Sequence, residues 1–226
     1  MAGKTVSSEY EMPKVMVDVV LLTVKDRRLH VALLRRNNPQ EPFNGRYALV
    51  GGFIHVNEDS DADAAAARIL KDKAGLESIY IEQLMTFSGK KRDPRGWSVS
   101  IAYMALVPLA QFEAADREDI KLVPADEVSN LPFDHDLILQ TALYRLRGKG
   151  AYSILPAMLL GETFTLGALH RVYEHVMGTE IDQSSFRRKV MELELIERTG
   201  GMSQEVGRPS KLFRLRQGAH TFDRKL

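Results

Sequence analysis

Three groups of residues in this chain have the types and spacing to do chemistry. The first is acidic: Glu58, Asp59, Asp61 and Asp63 lie within six positions, and Asp72 follows further on. Carboxylate oxygens are the ligands of a hard dication such as magnesium, so a metal-assisted reaction on a phosphate ester is one chemistry they could serve. The second group is cationic and aromatic. Arg35, Arg36, Arg46, Lys90, Arg92 and Arg95 flank strand-like runs and loops where they could meet phosphates, and Phe43, Phe53 or Trp97 could stack an adenine. The third group is basic and lies near the carboxy terminus. Ser184, Arg187, Arg188 and Lys189 fall in a helical pattern, and Arg208, Pro209, Ser210, Lys211 and Arg214 fall in a hairpin after it. Cations there suit a polyanionic partner.

The elements that must position these groups can be read from composition and pattern. Hydrophobic residues make up 44% and charged residues 27% of 226, the balance of an ordinary globular chain long enough for two domains. With no cysteine there is neither a disulfide framework nor a thiolate metal site, which leaves His, Asp and Glu as metal ligands. No apolar stretch, 19–24 included, approaches the roughly 20 residues needed to span a bilayer, and no signal-peptide core opens the chain, so a cytoplasmic location without a membrane partner is expected. Charge is uneven. Residues 187–226 carry 10 Lys and Arg against 5 Asp and Glu, although the whole chain is only +1.

Apolar runs at 16–24, 29–34, 48–50, 79–87 and 98–106, rich in Val, Ile, Leu and aromatics, predict a mixed sheet. Between the third and fourth, the alanine-rich stretch 61–74 predicts a helix capped by Ser60 and ended by Gly75. A second helix is expected at 134–146, stopped by Gly148 and Gly150, and the domain boundary is set there: residues 12–148, then 151–218. Beyond it Thr165 caps a helix over 166–177 that Gly178 ends. Asp182 caps another over 183–194, with Phe186, Val190 and Leu193 on one inward stripe. Short strands at 196–199 and 211–216 enclose a Gly-rich loop. Helix, turn, helix, hairpin is the winged-helix order, which lays the second helix in the major groove and a basic hairpin beside it. Thr165 joins the expected DNA contacts, and Pro209 stiffens the hairpin tip.

Two stretches carry a family likeness. Gly51-Gly52-Phe53 through Glu58, followed by Arg68 to Leu76, resembles the Nudix box, with Gly52, Glu58, Arg68, Leu70, Gly75 and Leu76 matching. Nine residues, not the family's seven, separate Glu58 from Arg68, and the positions of the metal-binding glutamates hold Ile69, Asp72 and Lys73. An aliphatic and a cation in place of two carboxylates predict loss of tight metal binding, and the Lys73 ammonium could neutralise a diphosphate itself. Replacement ligands from Glu58, Asp59, Asp61 or Asp63 would keep hydrolysis alive. Arg92-Asp93-Pro94-Arg95-Gly96 is more specific. With Leu131-Pro132-Phe133-Asp134-His135-Asp136, Phe186-Arg187-Arg188-Lys189 and Gly207-Arg208-Pro209, it makes the chain similar over 12–216 to the Nudix-related regulators of bacterial NAD metabolism, the NrtR family.

That resemblance implies an α+β protein: a Nudix α/β/α sandwich followed by a winged helix-turn-helix. It implies a homodimer on a palindromic double-stranded operator, with repression of NAD-metabolism genes and ADP-ribose as effector rather than any cofactor. The expected ligand contacts are Arg36, Phe43, Arg46, Gly51, Gly52, Phe53, Lys73, Lys90, Arg92, Arg95 and Trp97, with no catalytic residue and no metal ligand. Two rivals remain: an active ADP-ribose pyrophosphatase with an accessory domain, and a DNA-binding protein indifferent to ligand.

Overall fold

The computed structural model describes residues 12–203 and 209–216. Its centre is β1 (Lys14–Lys25), which is hydrogen-bonded along both edges. One edge runs parallel to β6 (Ser98–Leu106). The other pairs antiparallel with β2 (Arg28–Arg35) over its second half and with β4 (Val50–Phe53) over its first. The short β3 (Tyr47–Ala48), β5 (Tyr80–Gly89) and β7 (Ile120–Pro124) complete a mixed seven-stranded sheet. A strand covered on both faces should read as continuous apolar sequence, and β1 does. Its alternation sends Val17, Val19 and Leu21 into one layer and Val20 and Leu22 into the other.

Helix α1 (Ala62–Ala74) covers the first face with Ala65, Ala66, Ile69 and Leu70. Its cap is Asp61 and not Ser60: the Asp61 carboxylate accepts the Ala64 amide at 2.8 Å, a stronger acceptor than a hydroxyl. Gly75 closes the helix at φ 68°, where a glycine is least strained. Helix α2 (Leu109–Ala115) and β7, absent from the sequence reading, fill the interval before α3.

Helix α3 (His135–Gly150) covers the second face with Ile138, Leu139, Ala142 and Leu146. It does not stop at its glycines. Gly148 lies within it, and Gly150 lets it pack so closely on the next helix that a β-carbon there would sit 3.1 Å from Met177 Sδ. The packing outweighs the roughly 1 kcal/mol that glycine costs a helix.

A 3-10 turn (Leu155–Leu159) then leads to β8 (Phe164–Thr165), α4 (Leu166–Met177), α5 (Gln183–Glu192), β9 (Ile196–Met202) and β10 (Lys211–Leu215). Both expected caps are in place: Thr165 accepts from Ala168 N and Asp182 from Ser185 N. β10 lies between β8 and β9, a third strand that the hairpin reading lacked. One small core unites Leu169, Tyr173, Phe186, Val190 and Phe213. Leu155, Leu159, Val172 and Val176 belong instead to the apolar core beneath α3, so the two halves share one interior. Among the described residues no helix is long and apolar enough to cross a membrane.

Candidate functional site

Strand alternation sets the floor of a pocket. Asp18 shares its face of β1 with Val20 and Leu22, and that puts a buried carboxylate under the first turn of α3. Burial pushes this carboxyl up; His135, Ser100 and Arg92 outweigh that and hold it at about 2. Ser100 Oγ donates to Asp18 Oδ2 at 2.6 Å, Arg92 approaches the same oxygen at 3.3 Å, and His135 Nε2 stands 3.5 Å from Oδ1. The other ring nitrogen of His135, Nδ1, accepts the Leu49 amide at 3.0 Å, which fixes the imidazole's orientation. Arg92 also donates twice to Asp134, at 2.9 and 3.0 Å.

Gly51 and Gly52 end the sheet beside this cluster, and each is glycine for a visible reason. A β-carbon on Gly51 would lie 2.1 Å from Asp18 Oδ1, and one on Gly52 would lie 3.2 Å from Lys73 Nζ. The bare backbone lets a carboxylate approach from one layer and an ammonium from the other. Lys73 Nζ donates to the Gly51 carbonyl at 2.5 Å, and burial draws its pKa down. It makes no ion pair among the described residues.

The walls add Arg36, Glu41, Phe53, His55, Arg68, Asp72, Arg95 and Phe133, enclosing about 300 Å³, the lower end of the range for small-molecule sites. Arg95 is gripped by Asp93 at 2.8 Å and lies 4.9 Å from the Phe53 ring centre; Arg36 holds Glu41 at 2.6 Å and lies 5.0 Å from that of Phe133. Guanidinium and aromatic faces so arranged offer hydrogen bonds to phosphates and flat surfaces to a base.

Seven of the expected ligand residues therefore converge: Arg36, Gly51, Gly52, Phe53, Lys73, Arg92 and Arg95. Four do not line the cavity. Lys90 and Trp97 are exposed, Arg46 donates to the Asn130 carbonyl, and Phe43 packs edge-on against Phe133 at 4.9 Å. Arg92 is walled in by its own carboxylates, so it shapes the floor more than it reaches into the cavity. Asp18, Glu41, His135 and Phe133 were missed. Asp18 did leave a signal, a single charge within an otherwise apolar run, which is expensive to bury without purpose.

The donors do not fit a divalent metal. Ile69 is fully buried in the core under α1, the Lys73 ammonium faces the pocket, and Asp59 is claimed by Arg68 at 2.7 and 2.8 Å. Glu58 bonds His55 at 3.0 Å, Asp61 caps α1, and Asp63 accepts from Tyr103. Asp72 alone of the box acids turns to the cavity. No group of three or more metal-binding side chains is gathered among the described residues.

The basic face belongs to α5 and the wing. With Phe186 and Val190 buried, Ser184 and Arg188 lie on the opposite side of α5 and Arg187 on its flank. Arg188 has a loose partner, Glu192 at 3.9 Å, and Lys189 is half-buried on the other flank. Thr165 spends its hydroxyl on capping α4. Pro209, Ser210 and Lys211 are exposed at the wing, and Arg208 lies outside the described residues. Arg214 departs from expectation. It binds Glu197 at 2.7 Å on the far face of the wing, where it borders a separate cleft of about 840 Å³.

Comparison with known proteins agrees with both halves. Residues 12–143 match the model of the NUDIX domain, and residues 156–215 match that of the NrtR DNA-binding winged helix domain. The ADPR-responsive transcriptional repressor NtrR of Acinetobacter baylyi is 35% identical over 92% of this chain and 84% of its own. The structure of Shewanella oneidensis NrtR complexed with a 27mer DNA superposes with a TM-score of 0.86 at 37% identity, covering 94% of this chain and 99% of that one. The Nudix domain of that regulator, complexed with ADP ribose, matches 61% of this chain and 90% of its own at 34% identity and a TM-score of 0.53. A Nudix fold whose metal positions hold Ile69 and Lys73, joined through a common core to a basic winged helix, identifies the chain as a member of the NrtR family of Nudix-related transcriptional regulators.

Proposed function

We propose that this protein is a DNA-binding transcriptional repressor whose Nudix pocket binds ADP-ribose without hydrolysing it, and that occupancy of the pocket changes its affinity for an operator. The observation that carries this reading is Lys73. It is a cavity cation with no carboxylate partner among the described residues, and it stands on the helix face where hydrolases of the fold hold metal. A diphosphate gains most from a charge that nothing else neutralises. Arg36 and Arg95, already braced by Glu41 and Asp93, then orient the two ends of the nucleotide.

Coupling has a physical route. The first turn of α3 carries His135 into the pocket and is preceded by Asp134, the partner of Arg92. The last turns of α3 lie on α4, where Arg147 Nε donates to the Val176 carbonyl at 3.3 Å. A ligand that shifts the start of α3 acts at one end of a rigid rod whose other end carries the winged helix. Two such chains related by a two-fold axis would set their recognition helices roughly 34 Å apart, matching a palindromic site, so the DNA-bound species is a homodimer. Sedimentation of the operator complex gives two chains per duplex on this reading, and one chain would refute it.

Incubation with ADP-ribose and magnesium, followed by chromatography, separates regulator from hydrolase. The nucleotide returns intact if the reading holds. Steady release of AMP and ribose 5-phosphate would make the protein an active pyrophosphatase.

A further inference from the structure

The register of the wing divides its cations in a way the basic sequence does not disclose. In the pairing of β10 with β9, Phe213 stands opposite Arg198 and Arg214 opposite Glu197. Phe213 is buried in the winged-helix core, so Arg198 shares the inner face of the wing, while Arg214 and Glu197 share the outer one. Arg198, Lys211 and Arg187 accordingly line one cleft of about 290 Å³, between the flank of α5 and the wing, whose third wall is the first turn of α4. None of the three makes an ion pair among the described residues, although Arg188 and Arg214 nearby both do. His170, which also lines the cleft, bonds the Ile181 carbonyl at 2.7 Å.

We propose that this cleft seats a phosphate of the DNA backbone, and that Arg198 is the residue of the wing that holds it. The inference rests on the DNA-binding reading above. Three like charges lining one concavity repel each other, a cost that a polyanion removes on docking. The flank position decides between backbone and base. Ser184 and Arg188 project directly away from the buried stripe of α5 and lead into a groove, whereas Arg187 is turned about a quarter of a revolution towards the wing, where the sugar-phosphate chain rises. Arg198 and Lys211 meet it there. Contacts of this kind fix register without reading sequence. Arg214, neutralised on the outer face, has no part in it.

The test uses the full-length protein, an operator duplex selected by that protein from a random pool, and an unrelated duplex. Anisotropy titrations over a salt series give the slope of log K against log salt. Arg198→Ala should weaken both duplexes by the same factor, roughly tenfold, and flatten the slope by about 0.9, the signature of one lost phosphate contact. Arg198→Lys should restore the slope, and Arg214→Ala should change neither quantity. Melting curves and ADP-ribose binding report whether each variant is folded; if Arg198→Ala is not, Arg198→Gln keeps the stem and removes the charge, and its slope decides. An unchanged slope in a folded neutral variant overturns the phosphate seat and leaves DNA binding standing. Loss of operator discrimination without a change in slope overturns it too, because Arg198 would then be reading bases. If the parent selects and binds no duplex, the DNA-binding reading itself fails, and this inference with it.

Discussion

The arginines of the pocket and those of the winged helix are the same side chain put to opposite uses, and what separates them is who neutralises them. In the pocket each guanidinium has a carboxylate: Arg92 has Asp18 and Asp134, Arg95 has Asp93, Arg36 has Glu41 and Arg68 has Asp59. On the α5 side of the wing Arg187 and Arg198 have none among the described residues and Arg188 has a distant, solvated one, while Arg214 on the outer face is paired with Glu197. A buried charge must be paired, and once paired it is architecture, holding walls at fixed separations. An exposed charge left unpaired costs little in water and stays available to a polyanion. Lys73 is the exception that marks the ligand site: it lies in the enclosed region yet is unpaired in the manner of the open one.

This contrast can be broken most decisively at Arg92. Replacing it with leucine leaves Asp18 and Asp134 facing each other without their shared cation, and should cost about 3 to 5 kcal/mol in urea unfolding. A loss below about 1 kcal/mol would mean that the floor is not built as described. Next comes acid. Asp18 is held at about 2 against an ordinary 3.8, so its contribution is complete above about pH 4 and disappears as pH falls towards 2. That shift corresponds to roughly 2 to 3 kcal/mol, and Asp18→Asn should flatten the stability profile across the same window. At Lys73 the effect moves from stability to binding. Lys73→Ala should reduce ADP-ribose affinity in calorimetry about ten- to a hundredfold, the worth of a charged hydrogen bond, without lowering stability, since burial already disfavours that ammonium. The smallest change in stability is expected at Arg188. Its alanine variant should stay within about 0.5 kcal/mol of the parent and yet bind the operator measurably more weakly in a gel-shift titration.

Local signals in the sequence were read well, and long-range pairings were not. The winged helix followed from caps and terminators that act within one turn: Thr165, Gly178 and Asp182 each stand where their chemistry requires. The strands of the sheet followed from apolar runs, and Gly51 and Gly52 from the Nudix-box resemblance that they help to carry. By contrast, the partners of Arg92 lie 74 and 42 residues away, and no spacing rule connects Asp18, Arg92 and Asp134 before the sheet brings them together. Phe43 and Trp97 had the right chemistry for stacking, but Phe53 and Phe133 are the rings that face the cavity. Helix α3 runs on past Gly148 to Gly150, whose close packing against Met177 of α4 is a long-range contact that local propensity does not show. The pairing of Arg214 with Glu197 could not be read from the sequence, because which face of a two-residue alternation a side chain takes depends on a register that a Gly-rich loop leaves open.

The central claim is that the pocket and the DNA face are coupled through α3, and one titration addresses it directly. ADP-ribose is added to a fluorescent operator complex in EDTA, and operator affinity is followed. The account predicts a shift of at least about fivefold, the lower bound of useful allosteric coupling, that vanishes in Lys73→Ala. Saturating ADP-ribose that binds the protein and leaves operator affinity unmoved would contradict it.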